Sequence, residues 1–365
     1  MKNLLKYLLV IVFAISGCKK EDDPVLDDPV SNNNSTSTTI AQDKQNISNT
    51  FTSMEACITT LKNGFGANAL KNFLNLDEGE VLADDWIDDM TDNIDDLLNL
   101  DAIDNNNKFD FNGNTGTYTW NQTSQAWYKT TTPNNKIIIN FPSSEWDQSN
   151  DAVFTFHSYA DVSIFYDGDN IFAPTSVIAD LYVDGTKVFD INGSYSYDMG
   201  NATPIPININ TALTFNPFSI TITAQRITSK EFEADISITD NSGCLTTLHG
   251  DLKIKHDDYE NLEETDIVEI NTIFKHQNME IKGYMEGSLL GYNDPSNTQI
   301  NAMTDVDIYY SNSKIGELIL QSNSNNDNMV YIVYLDGSSE NADTYYDPFI
   351  TNIEQILFPF MGGWD

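Results

Sequence analysis

Two periods divide this chain. Between residues 44 and 100 apolar side chains recur every three or four positions, the spacing of one helix face. Ile47, Phe51, Met54, Ile58 and Leu61 form the first stripe, which Gly64 and Gly66 end. Leu70, Phe73 and Leu74 mark a short helix over 68–76. Val81, Leu82, Trp86, Met90, Ile94, Leu97 and Leu98 mark a third over 79–100. From about residue 108 the period falls to two, as in strands with one buried face. It predicts strands at 116–121, 125–130, 136–141, 152–166, 176–183, 186–197, 205–214, 217–227 and 230–240. More follow at 244–256, 266–276, 279–290, 299–310, 314–322 and 328–335. In the long strand 152–166, Phe154, Phe156, Val162 and Ile164 point one way, and Thr155, His157, Asp161 and Ser163 the other. Asn112-Gly113, Asp167-Gly168, Asp184-Gly185 and Asn192-Gly193 supply turn or bulge chemistry. A last helix over 347–361 is capped by Asp347, takes Pro348 in its first turn and buries Phe349, Ile350, Ile353, Ile356, Leu357 and Phe360.

Many short-spaced strands with few helices between them predict an α+β, mainly β chain. The expected architecture is a large antiparallel curved or meander sheet covered by the N-terminal helices and the C-terminal helix. The body is then a helical segment (44–100), a β region (108–335) and the closing helix, as one unit or as two similar β halves. The halves are suggested by Asp180-Leu-Tyr-Val-Asp-Gly-Thr-Lys-Val188, which parallels Asp307-Ile-Tyr-Tyr-Ser-Asn-Ser-Lys-Ile315 at an offset of 127 residues (307 − 180). A duplicated unit and independent use of a favoured hairpin both account for it. A curved sheet wrapped on helices resembles periplasmic lipoprotein carriers and related lipid-binding lipoproteins, a likeness of fold that no motif carries.

Charge narrows the partners. The chain has 55 acidic and 18 basic residues, a formal charge of −37, and Arg226 is its single arginine. Nucleic acid needs a basic face to neutralise phosphates, and this chain has none to offer. Anionic headgroups are disfavoured for the same reason. The acidic face of the third helix (Asp84, Asp85, Asp88, Asp89, Asp92, Asp95 and Asp96) reads as a solvated surface and not as a cation site. The stretch Asp104 to Asn114 has oxygen-bearing residues at alternate positions but lacks the glycine placement and closing Glu of a calcium loop, so it reads as a polar turn.

The N-terminus supplies an address. Lys2 and Lys6 precede a short apolar run, Leu8–Ile15, that is roughly half of the ~20 residues a spanning helix needs. Ile15-Ser16-Gly17-Cys18 is similar to a lipobox, which implies cleavage after residue 17 and lipidation of Cys18. Lys19, Lys20, Glu21, Asp22 and Asp23 resemble the charged export signal of Bacteroidota-type surface lipoproteins. That likeness covers residues 1–24 and implies a lipid anchor in the outer membrane with the body exposed on the cell surface. Residues 18–43 read as a flexible tether, too poor in bulky apolar side chains to fold. The remaining Cys57 and Cys244 are either two buried free thiols or one disulfide tying helix to sheet.

Candidate chemistry is sparse. Tyr118, Trp120, Trp127 and Tyr128 form an aromatic hairpin, with Trp146 further on, that either stacks on a sugar or apolar ligand or packs the sheet. With a turn at 121–125, Tyr118 and Tyr128 face each other on the side of Trp120 and Trp127 faces away. His157, His249, His256 and His276 show no zinc or catalytic spacing and read as surface histidines. No catalytic residue, metal or cofactor is expected, and the sequence sets no oligomeric state. The reading is a non-catalytic, lipid-anchored glycan-binding or uptake-accessory module. A carrier for a lipid or other apolar ligand and a structural or adhesion protein are the alternatives.

Overall fold

The structure, a computed structural model, describes residues 39–64, 68–69, 72, 109–130, 135–144, 147–166, 169–200, 205–240, 243–292, 295–322, 328–342 and 345. Cys18, the charged residues 19–23, Trp146 and the helices predicted over 79–100 and 347–361 lie outside the described residues.

The described residues are mostly β, with 60% of them in strands, in one large open sheet of 16 strands. The first six are β1 (Gly116–Asn121), β2 (Ala126–Thr130), β3 (Ile137–Phe141), β4 (Ala152–Tyr166), β5 (Asp169–Val183) and β6 (Thr186–Asp198). Next come β7 (Ile205–Phe215), β8 (Phe218–Thr228), β9 (Glu231–Asp240), β10 (Leu245–Ile254) and β11 (Ile267–His276). The last five are β12 (Met279–Glu286), β13 (Thr304–Tyr310), β14 (Ser313–Ser322), β15 (Asn328–Tyr334) and β16 (Ser339–Asn341). From β3 to β16 every strand pairs antiparallel with the next in sequence. At the other edge β1 lies between β3 and β2 and pairs with β3 in parallel. The sheet is therefore mixed, not wholly antiparallel as the sequence pattern predicts. Alternation reports which face a side chain occupies, not which way a strand runs.

Two boundaries differ from the pattern for local reasons. Strand β5 starts at Asp169, ahead of Pro174, because the proline falls at a register shift opposite Ala160 and Asp161 where the ladder is already interrupted. Residues 297–303 are helical, not the head of a strand. Ser296 and Gln299 form a capping box that starts a short helix there, Asn297–Met303.

Pairing carries one face from strand to strand. In the middle of the sheet Ile220 lies opposite Ile238 and Ile222 opposite Ile236. Their neighbours Thr221–Ser237 and Thr223–Asp235 form the opposite, polar face. The apolar face gathers into three buried clusters. One spans β1 to β6 through Tyr118, Ile139, Phe154 and Leu181. A second lies over β12 to β15 through Met279, Ile308, Ile315 and Ile332. The third joins β10 to β12 through Leu252, Ile270 and Met285. In β4 a register shift between Phe156 and Ser158 breaks simple alternation, so that Tyr159 follows Phe156 into the first cluster.

Helix α1 (Ile40–Lys62) lies on the second cluster. Thr39 caps it, its hydroxyl accepting from the Gln42 amide at 3.4 Å. Ile47 and Met54 are buried as the stripe predicts, and Phe51 is partly buried. Asp43, Asn46 and Thr50 are buried beside them, which widens the inward face with polar side chains that a hydrophobic pattern does not count. Three links fix the helix. At its start Lys44 pairs with Glu340 of β16 at 2.7 Å, and Tyr334 and Tyr345 donate to the other oxygen of that carboxylate. In the middle the Ser53 hydroxyl meets His276 Nε2 at 3.1 Å. Towards its end Cys57 is disulfide-bonded to Cys244, with Cα atoms 5.8 Å apart, which decides between the two fates open to these cysteines.

The nine-residue similarity extends into the structure. Tyr182 lies opposite Lys187 and Tyr309 opposite Lys314, each next to a register shift on the same side. Both turns have two positive φ angles, at Asp184-Gly185 and at Ser311-Asn312, the type I′ geometry. The preceding hairpins agree as well: Phe154 pairs with Leu181 as Ile281 pairs with Ile308. The Asp184 amide donates to the Asp151 carbonyl at 2.9 Å, as the Ser311 amide does to the Asn278 carbonyl at 2.8 Å. A favoured hairpin alone does not require the strand before it to keep register, so these coincidences favour a duplicated unit within one continuous sheet.

Candidate functional site

The aromatic hairpin is a core element. Asn121 pairs with Ala126, which places Trp120 opposite Trp127 and Thr119 opposite Tyr128. This is one residue off the pairing the sequence suggested, and a one-residue slip exchanges the two faces. Trp120 and Trp127 meet edge to face at 5.2 Å and are 8% and 4% exposed, so neither ring is free to stack on a ligand. Trp120 Nε1 donates to Gln122 Oε1 at 2.7 Å. Tyr118 is buried on the same face, its hydroxyl donating to the Asn114 carbonyl at 2.9 Å and its ring under Lys129. Only Tyr128 of the four is open, 53% exposed on the opposite face. Asp110 of the calcium-like stretch spends its carboxylate on the Gly113 amide at 2.9 Å, capping a single helical turn, Phe111–Asn114.

The histidines divide. His276 is fully buried, contrary to the surface reading, between Thr246 Oγ1 at 2.7 Å and Ser53 Oγ at 3.1 Å. Burial pushes its pKa down to about 4. Its position at a strand end concealed this, because what encloses it is a helix more than two hundred residues earlier in the chain. His157 lies 3.0 Å from Asp180, and His256 lies 3.1 Å from Asp266.

His249 belongs to the polar face. The β9–β10 register sets His249 opposite Asp235 and Asp251 opposite Glu233, so that four polar side chains share one side of two neighbouring strands. His249 Nδ1 is 2.9 Å from Asp235 Oδ1 and 3.9 Å from Glu233 Oε1, and its Nε2 is 3.3 Å from Asp251 Oδ2. Burial works against the charged ring, but the bonds and charges of Asp235 and Asp251 outweigh it and raise the pKa above the ordinary histidine value. The row continues with Asp251 opposite Asn271, Asn271 opposite Tyr284, and Tyr284 opposite Asp305. Tyr284 is 37% exposed, an accessible ring with an amide on one side and a carboxylate on the other. The alternation of Glu233, Asp235, His249, Asp251 and Tyr284 is legible in the sequence. Their meeting is not, since it depends on register.

No family model, curated protein or solved structure matches the chain. Among the described residues no helix is long and apolar enough to cross a membrane.

Proposed function

We propose that this chain is a lipid-anchored lipoprotein of the outer membrane, exposed on the cell surface, that binds glycan on the polar face of its sheet without catalysing a reaction. The address rests on the lipobox-like Ile15–Cys18 and on the charged residues 19–23. The observation that carries the binding reading is Tyr284. A sugar ring needs an apolar plane to stack on and nearby hydrogen-bonding groups for its hydroxyls. Tyr284 offers the first and its cross-strand neighbours Asn271 and Asp305 the second, within the spacing of adjacent strands. The buried Trp120 and Trp127 pass that role from the aromatic hairpin to β11–β13.

Helix α1 covers part of the apolar face of the sheet. The second reading, a pocket for a lipid or other apolar ligand, draws on that same face. Among the described residues Ile220, Ile222, Ile236 and Ile238 are only half-buried, in contrast to the packed clusters on either side. Two assays test the address. Cys18→Ala abolishes palmitate labelling and leaves the precursor uncleaved. Protease added to intact cells degrades the wild-type protein and spares a variant with residues 19–23 replaced by alanine and serine. Normal processing of Cys18→Ala, or protection of the wild type, contradicts it.

A further inference from the structure

We propose that Glu233, Asp235 and His249 form a binding site for a divalent zinc-type ion on the polar face of β9 and β10, with Asp251 as the carboxylate that orients the histidine. This inference is independent of the glycan reading.

The geometry matches the ion. Glu233, Asp235 and His249 each offer one ligand atom, and the three lie within 4.8 Å of one another. Zinc binds carboxylate oxygen and imidazole nitrogen at roughly 2.0–2.2 Å, so in a tetrahedral site two ligand atoms are roughly 3.4 Å apart. The distances from His249 Nδ1, 2.9 Å to Asp235 and 3.9 Å to Glu233, fall on either side of that value. Small side-chain rotations therefore bring all three onto one ion, and water completes the fourth position.

The ligands are held for the task by their neighbours. Gln225 of β8 donates to Glu233 Oε2 at 3.0 Å, which leaves Oε1 turned towards His249. Asp251 engages the other ring nitrogen of His249. A carboxylate in that position keeps the proton on Nε2 and the lone pair on Nδ1, the arrangement in which metal-bound histidines are usually held. The strands that carry these residues are paired on both sides, so the backbone beneath the cluster is fixed.

The electrostatics call for a cation. Glu233, Asp235 and Asp251 surround one imidazole, and among the described residues no lysine or arginine forms an ion pair with any of the three carboxylates. Of the charged groups on the same face, Lys253 is engaged with Glu231 and Glu269, while the β8 and β11 neighbours Thr223, Gln225, Asn271 and Ile273 are uncharged. Imidazole in the set favours zinc-type ions over calcium and magnesium, which take oxygen ligands. The histidine is what separates this cluster from the many carboxylate pairs of an acidic surface.

The test is titration of the full-length protein in detergent with Zn²⁺ at pH 7, by calorimetry. One equivalent binds, and excess Ca²⁺ does not displace it. His249→Gln and Asp235→Asn each weaken binding at least tenfold, and Asp251→Asn weakens it about 10–100-fold, the usual effect of losing an orienting partner. His157→Gln, which removes a separate histidine–aspartate contact on β4 and β5, leaves it unchanged. Circular dichroism checks that each variant is folded, and these polar-for-polar changes on the polar face leave the sheet intact. No binding, an affinity unchanged in His249→Gln and Asp235→Asn, or loss in His157→Gln shows adventitious surface binding only and overturns the site.

Discussion

Replacing Ile47 with alanine tests how the sheet is closed. Ile47 is 1% exposed, packed by α1 into the cluster of Met279, Ile308, Ile315 and Ile332. The substitution deletes three carbons, about 2.4 kcal/mol of transfer free energy at about 0.8 kcal/mol each. The strands beneath are hydrogen-bonded on both sides and cannot collapse into the space, so a cavity cost adds to this and places the total at about 3–4 kcal/mol. Alanine's better helix propensity returns only a few tenths. Glu55→Ala, on the exposed side of the same helix, is the control and costs about 0.5 kcal/mol or less. Urea titration reads both as shifts of midpoint at constant slope. Equal, small shifts for the two variants would refute the packing of α1 on β12–β15.

Other outcomes follow from the same contacts. The Cys57–Cys244 bond closes a sequence separation of 187 residues, so the double Cys→Ser variant loses roughly 2–5 kcal/mol. Thiol titration of unfolded, unreduced protein lacking Cys18 finds no free thiol, and finding two denies the bond. His276 has a depressed folded-state pKa, about 4 against 6.5, so the unfolded chain takes up its proton first as pH falls. Its contribution is intact above about pH 6.5 and is lost on acidification towards pH 4. Wild type minus His276→Gln stability, from melts across that window, therefore declines with falling pH, and a flat difference removes the argument.

The sequence located this architecture well where one face alone decides the pattern. Strand β4 runs over the predicted 152–166, and the stripe of α1 includes Ile47 and Met54. It failed where two segments must meet. The register of β1 and β2 depends on whether four or five residues lie between the paired positions, and that one residue moved Trp127 onto the buried face of Tyr118 and Trp120. The parallel β1–β3 pair has no local signal at all. Nor did His276 carry one, since alternation cannot register a helix arriving from residues 40–62. The polar face was visible as single residues, yet the grouping of Glu233 with Asp235 and His249, and of Tyr284 with Asn271 and Asp305, required the ladder.

The binding reading meets its most direct test on a glycan array probed with the wild-type protein and with Tyr284→Ala. Tyr284 is exposed on the polar face, so its loss leaves the fold intact, while loss of a stacking ring lowers affinity by about 1–3 kcal/mol if sugar stacks on it as flat bases do on aromatic side chains. The account predicts that the wild type retains specific glycans and that Tyr284→Ala loses them with unchanged thermal stability. Glycan binding that survives in Tyr284→Ala, or a wild type that retains no glycan, would contradict it.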